Sequence, residues 1–262
     1  MLDNLKLDEI VLPNETKHQI YLDGVQPTVT ETGKLVGRVP RAINAALASL
    51  DCWILEREHH VARTKELLAQ NLENVEPEKI VPPEPYVAVP ALTALSYSMD
   101  SEELRKMYAN LLAKSIYKDT KNDVHPGFTE IIKNLSPLDC LIFNSIMSKP
   151  TQEIGCYEIR LGKTEKTSYH VFSPYLIEFT FGSLKNTATS IDNLIRNKLI
   201  SAEDFHYYDD NMYAPIRENP DYKSIMSIKI NDSENKIFPY KMSIKSTSLG
   251  RAFYDVCCSP LT

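Results

Sequence analysis

Leu104, Met107, Tyr108, Leu111, Leu112, Ser115 and Ile116 recur at i, i+3, i+4, i+7, i+8, i+11 and i+12, the spacing that lines one face of an α-helix. No other stretch of the chain is as tightly constrained. A helix with such a face must bury it, and Leu104, Leu111 or Leu112 each contributes on the order of 2 kcal/mol once buried. Asp100 or Ser101 caps its start, and Glu103 stands three residues after Asp100, as a capping box requires. The predicted helix is therefore a core element, and its neighbours are read outward from it.

Upstream, VEPEKIVPPEPYVAVP carries Pro77, Pro82, Pro83, Pro85 and Pro90. Proline fixes φ and removes a donor, so the spacing predicts a stiff, polyproline-like strap between two helices; a ligand for a proline-recognising module is the alternative. Pro90 then opens a short helix through Tyr97. Downstream, KDTKNDVHPGF is a polar loop leading into a helix with Pro126 in its first turn and Phe128, Ile131, Ile132 and Leu135 on its apolar face. Ser136-Pro137-Leu138-Asp139 restarts another helix, with serine as cap, proline at the first position and an acid three after the cap. Leu138, Leu141, Ile142 and Ile146 continue it until Lys149-Pro150.

Pro40 precedes a longer helix, predicted over Arg41 to Val75, with Ile43, Leu47, Leu50, Ile54, Val61, Leu68 and Leu72 on one stripe. Arg57 and Thr64 interrupt that stripe, so the helix either packs on the body at both ends or forms a coiled-coil-like homodimer seam. Residues 1–38 hold turn formers and little periodicity apart from a short strand at Gln19 to Leu22, and read as a loosely structured leader.

After Pro150 aromatic and β-branched residues take over, as in TSYHVFSPYLIEFTF. A helix follows from Thr189 with Ile191, Leu194, Ile195 and Leu199, then strands at Ser227 to Ile230 and Tyr240 to Ile244, and a last helix that turns Leu249, Phe253 and Val256 inward. This order predicts a winged helix-turn-helix. The fold expected is mainly α: a helical domain over 39–135, followed by a smaller α+β winged-helix-like domain over 136–262. In it the second helix takes the recognition position and offers Lys185, Asn186, Thr187, Ser190, Asn193 and Arg196 to nucleic acid.

A formal net charge of -6 argues against broad attachment to nucleic acid, which Lys and Arg drive by releasing counterions. Five cysteines, an odd number at irregular spacing, fit no disulfide framework and suit a reducing cytoplasm. The most apolar window, Val36 to Leu55, holds Arg38, Arg41, Asn44 and Asp51, so no membrane span is predicted.

His125 is the leading catalytic candidate, with Asp123 two residues before it and Asn110 on the preceding helix; the alternative is that His125-Pro126 caps a helix corner. Glu56 and His60 share a helix face beside His59 and Arg63, yet no third ligand accompanies them, and Asp209-Asp210 reads as a turn, so no metal is predicted. Cys257-Cys258 belongs in a buried terminal helix. Gly-rich phosphate loops, GxSxG, HExxH and CxxC are all missing, and no cofactor is predicted.

Several of these stretches, taken together, resemble the Abi-alpha family of bacterial proteins associated with abortive infection and phage defence. They are Ile80-Val81-Pro82-Pro83, Glu102-Glu103-Leu104-Arg105 through Tyr108-Ala109-Asn110-Leu111-Leu112-Ala113, His125-Pro126 with Phe128, and Leu135-Ser136-Pro137. The tail is similar too, with Ser246-Thr247-Ser248-Leu249-Gly250, Phe253 and Val256-Cys257. Ser248 stands where similar proteins are expected to carry proline or another turn former, and residues 1–38 lie outside the resemblance. The resemblance implies a setting in phage defence, and the leading expectation is a cytoplasmic, non-enzymatic interaction protein of this type with a protein partner. The alternatives are a winged-helix DNA-binding regulator and a toxin enzyme with its site around His125.

Overall fold

The computed structural model describes residues 38–47, 66–95, 101–164, 166, 169–204, 210–230 and 234–261. The leader, the middle of the long helix with Glu56, His59, His60 and Arg63, and Asp209 lie outside the described residues. At the two ends of that predicted helix lie α1 (Arg38–Leu47) and a helical turn over residues 66–71, and Ile43, Leu68 and Leu72 enter the main core.

The constrained stretch forms α3 (Glu102–Ile116), after α2 (Pro85–Leu95). The Ser101 side chain accepts from Leu104 N at 3.3 Å, so serine rather than aspartate caps α3. From Met107 to Ile116 every residue of α3 is buried, while Leu104 is only partly so. The proline strap differs from its expectation: α2 begins at Pro85 and holds Pro90 inside it. Pro90 forgoes only the bond to the Tyr86 carbonyl, and Tyr86 is largely exposed, so water can take that acceptor. Ahead of α2, Val81 N donates to Ile116 O and Lys118 N to Lys79 O, tying the strap to the end of α3.

α4 (Gly127–Lys133) and α5 (Pro137–Met147) meet at the predicted corner. Ser136 and Asp139 make the full capping box, and Gln152 turns the chain into the sheet with φ 52°. β1 (Glu153–Gly162), β2 (Tyr169–Leu176), β3 (Ile200–Glu203) and β4 (Lys236–Ser246) then form one antiparallel sheet in the order β2-β1-β4-β3. α6 (Leu184–Arg196) lies between β2 and β3 in sequence.

The expectation of a mainly α chain ending in a winged helix is corrected by this sheet. A winged helix carries its ribbon after the recognition helix. Here β1 precedes α6, β4 follows it, and the two pair along their whole lengths from Glu153 opposite Lys245 to Gly162 opposite Lys236. α6 packs on β2 and α5 instead of standing beside a wing. The expected strand at Ser227 to Ile230 is also absent: α7 (Ala214–Glu218) and α8 (Pro220–Met226) run up to it, and residues 228–230 take no regular structure.

Both faces of the sheet are covered. Ile154, Cys156 and Ile244 join α3, α5, α6 and the C-terminal helix in the main core, which draws on residues from either side of Leu135. Tyr157, Ile159 and Leu176 face the other way onto Tyr213, Ile216 and Ile225. Gly155 permits this second layer, because a Cβ there would stand 2.6 Å from the Met212 carbonyl oxygen. Arg160 is stacked between Tyr169 and Tyr240, its guanidinium carbon 4.2 and 3.3 Å from the ring centroids, and pairs with Glu158.

The chain closes with α9 (Ser248–Phe253) and a π-helical turn, Tyr254–Cys258. Thr247 caps α9 by accepting from Gly250 N at 2.9 Å, and its own N–H donates to Leu199 O. Phe253 and Val256 are buried as expected, whereas Leu249 is 37% exposed.

Candidate functional site

The catalytic candidates do not form one constellation. His125 is exposed at the start of α4, where Nδ1 accepts from Gly127 N at 3.0 Å and the ring lies 5.8 Å from that of Phe128. The imidazole thus serves the helix corner. Asn110, on the buried side of α3, accepts from Asn71 Nδ2 at 2.8 Å and donates to the Cys257 carbonyl at 2.9 Å. Its amide is spent on joining residues 66–71 and the C-terminal turn to α3. Asp123 is exposed at the end of a 3₁₀ turn, within electrostatic reach of Lys114.

Lys114 was not legible as a special residue. It lies one turn beyond Asn110, buried, and donates to the carbonyls of Asp255 and Ser259. Burial, opposed in part by Asp255 and Asp123, holds its pKa below the ordinary lysine value. The same burial pushes the Cys140 and Cys156 thiols up to about 12 and the Cys257 thiol well above its ordinary value, which leaves them unreactive. Asp210 accepts from Arg217 at 2.6 Å and pairs with Lys241 at 2.8 Å, and is spent on the outer layer. Among the described residues no group of three or more potential ligands could hold a metal, and no helix is long and apolar enough to cross a membrane.

The nucleic-acid candidates on α6 divide between its two sides. Thr187 and Ser190 are buried, 5% and 4% exposed, beside Ile191 and Leu194. Lys185, Asn186 and Arg196 are exposed. Asn193 is half-buried and committed: its Nδ2 donates to Asn134 O at 2.7 Å and to Asp139 Oδ2 at 2.9 Å. A recognition helix would keep Thr187, Ser190 and Asn193 available to base edges; here the amphipathic face of α6 has turned all three towards protein.

What this arrangement leaves open is a groove of about 520 Å³ between α6 and the α4–α5 corner. One wall is Lys133, Asn134 and Ser136 above Asp139, and the other is Thr189, Asp192, Asn193 and Arg196. Its floor is fixed by hydrogen bonds. Asp139 Oδ2 accepts from Ser136 N at 2.6 Å as well as from Asn193, so a single carboxylate caps α5 and ties α6 to it. Burial, with the Asp192 carboxylate nearby, pushes the Tyr175 phenol up to about 12. The caps at Ser136 and Asp139 were readable from spacing. Their tie to Asn193 joins residues 54 apart in sequence, and no local pattern announces it.

The chain matches the family model described as Abortive infection alpha over residues 56–257. No curated protein and no solved structure matches it. The matched span takes in α3 with its Asn110 anchor, the Ser136–Asp139 corner, the Thr247–Gly250 cap and most of the turn that Asn110 and Lys114 hold. The chain therefore belongs to the abortive infection alpha family, with a role related to abortive infection.

Proposed function

We propose that this chain is a cytoplasmic interaction protein of bacterial phage defence, engaging a partner protein through the groove between α6 and the α4–α5 corner. The observation that carries the reading is that the groove is open while its floor is rigid. Asp139 and Asn193 are locked to one another, and Ser136, Thr189 and Arg196 are presented from fixed helices. A surface held in advance binds without first spending free energy on ordering its own side chains. Four of the cysteines lie among the described residues and all four are free thiols, which suits the reducing compartment in which abortive infection would act.

The test is phage challenge of a bacterial host expressing the chain at matched soluble levels, as wild type, Arg196→Glu and His125→Ala. Wild type is expected to lower plaque counts, Arg196→Glu to lose that protection and His125→Ala to keep it. Equal plaque counts with and without the wild-type chain, across a varied phage panel, refute the defence role. Loss confined to His125→Ala moves the site to the corner.

A further inference from the structure

We infer that the groove takes a lysine side chain of the partner protein, its ammonium seated on Asp139 Oδ1 and the Ser190 hydroxyl. The inference rests on the groove being a contact face, as proposed above, and adds the group that enters it.

The floor of the groove carries two oxygens that the fold leaves open. Asp139 is 2% exposed and its Oδ2 accepts from Ser136 N at 2.6 Å and Asn193 Nδ2 at 2.9 Å, whereas Oδ1 has no hydrogen-bond partner among the described residues. Ser190 is 4% exposed, and its hydroxyl has no partner among them either. Neither oxygen is sealed from solvent, and both residues line the groove. Ser190 stands one turn before Asn193 on the same face of α6, and Asn193 is the residue that meets Asp139, so the two oxygens belong to one part of the floor. A buried polar atom without a partner costs stability, and two of them together suit an occupant rich in donors.

The lining also sets the sign of that occupant. Lys133 is paired with Glu130 at 3.6 Å. Of the remaining charges, Asp139, Asp192 and Arg196 make no ion pair among the described residues. Two unpaired acids thus stand against one unpaired cation. Depth weighs on the same side: Arg196 is exposed and keeps its hydration, while Asp139 is buried and little screened.

The acceptors then select among cations. A metal ion needs several ligands, and among the described residues no group of three or more potential ligands could hold one. A guanidinium binds a carboxylate best through both oxygens, and Oδ2 here already accepts twice. An ammonium is a compact charge with three separate donors, which suits two single acceptors, and its four-carbon stem lets it reach down from a partner's surface.

Proton–nitrogen correlation NMR on the full chain tests this with short capped peptides of glycine and serine around one central lysine, acetyl-lysine, arginine or glutamate. The lysine peptide is expected to shift the signals of Ser190, Asn193 and Asp139 saturably, to bind more tightly than the other three, and to weaken as salt rises. Asp139→Asn keeps the shape and removes the charge, and should weaken the lysine peptide about tenfold; Ser190→Ala should weaken it about threefold and Asp192→Asn about twofold. Because Asp139 also caps α5, Ser190→Ala and Asp192→Asn carry the test if Asp139→Asn unfolds. Ser190→Ala removes an unpartnered polar atom, so its urea midpoint should equal or exceed that of wild type, and a lower one shows that the fold itself uses the hydroxyl and overturns the site. The inference is equally overturned if the lysine peptide leaves those signals in place, if acetyl-lysine, arginine or glutamate binds as tightly, or if the folded variants bind as wild type does. Arg196→Glu adds an acid at the rim and should bind the lysine peptide at least as tightly as wild type, which lets phage protection separate the two readings. Protection lost in Arg196→Glu but kept in Ser190→Ala and Asp192→Asn overturns the lysine occupant alone, whereas protection kept in all three, with the lysine peptide still bound by wild type, overturns the groove's part in defence alone.

Discussion

Gly250→Ala sets two physical effects against each other. Alanine is the better helix former by about 1 kcal/mol, so propensity alone predicts a more stable protein. The structure predicts the reverse. A Cβ at position 250 would stand 1.9 Å from the Leu199 carbonyl oxygen and 2.9 Å from its carbon. Backbone cannot swing aside as a side-chain tip can, so α9 must retreat by about 1 Å. The retreat strains the bonds from Thr247 N to Leu199 O and from Thr247 Oγ1 to Lys198 O, each worth about 1 kcal/mol. It also lifts Phe253 and Val256, both buried, and such misfit costs about 1–3 kcal/mol. Set against the gain in propensity, the net loss is about 2–4 kcal/mol. Urea unfolding followed by far-ultraviolet circular dichroism reads it as a lower midpoint at unchanged slope. A midpoint equal to or above wild type would show that α9 does not rest on Leu199 in this way.

Other positions test other parts of the structure. Lys198 holds φ 59° at the close of α6, where Leu199 N returns to Leu194 O and Lys198 N to Ile195 O. Lys198→Gly should therefore raise stability by about 1 kcal/mol, and a lower urea midpoint refutes the left-handed turn. Asn110→Leu removes the links to Asn71 and the Cys257 carbonyl and should cost about 2 kcal/mol in the same assay, whereas a neutral result refutes the anchor. The Arg217 guanidinium and Lys241 hold the Asp210 carboxyl at about 2, below its ordinary 3.8. A depressed acid contributes stability above its unfolded pKa and loses it as pH falls through the folded one. The gap between wild type and Asp210→Asn should thus stand at neutral pH and close between about pH 4 and pH 2, and a gap independent of pH refutes the pairing. His125→Ala removes one exposed bond to Gly127 N and should cost under about 1 kcal/mol in the urea assay; a larger loss gives the imidazole more than a corner to hold.

By itself the sequence determined what neighbours in the chain decide among themselves. The apolar stripe of α3, the Ser136–Asp139 capping box, the corner at His125-Pro126 and the burial of Phe253 and Val256 all follow from spacings within a few residues. Only the tertiary structure decided the sheet and the groove. β1 is buried on both faces and so shows no alternation of apolar and polar residues, the one signal by which a strand announces itself locally. Its partner β4 arrives some eighty residues later, and the pairing from Glu153–Lys245 to Gly162–Lys236 is a long-range fact. The same holds for α6. Its composition offered Thr187, Ser190 and Asn193 to a ligand, but packing on β2 and α5 turned Thr187 and Ser190 inward, gave Asn193 to Asp139 and left Arg196 facing the groove. Which polar residues remain free to bind depends on what each faces across space, and that is settled only when the core closes.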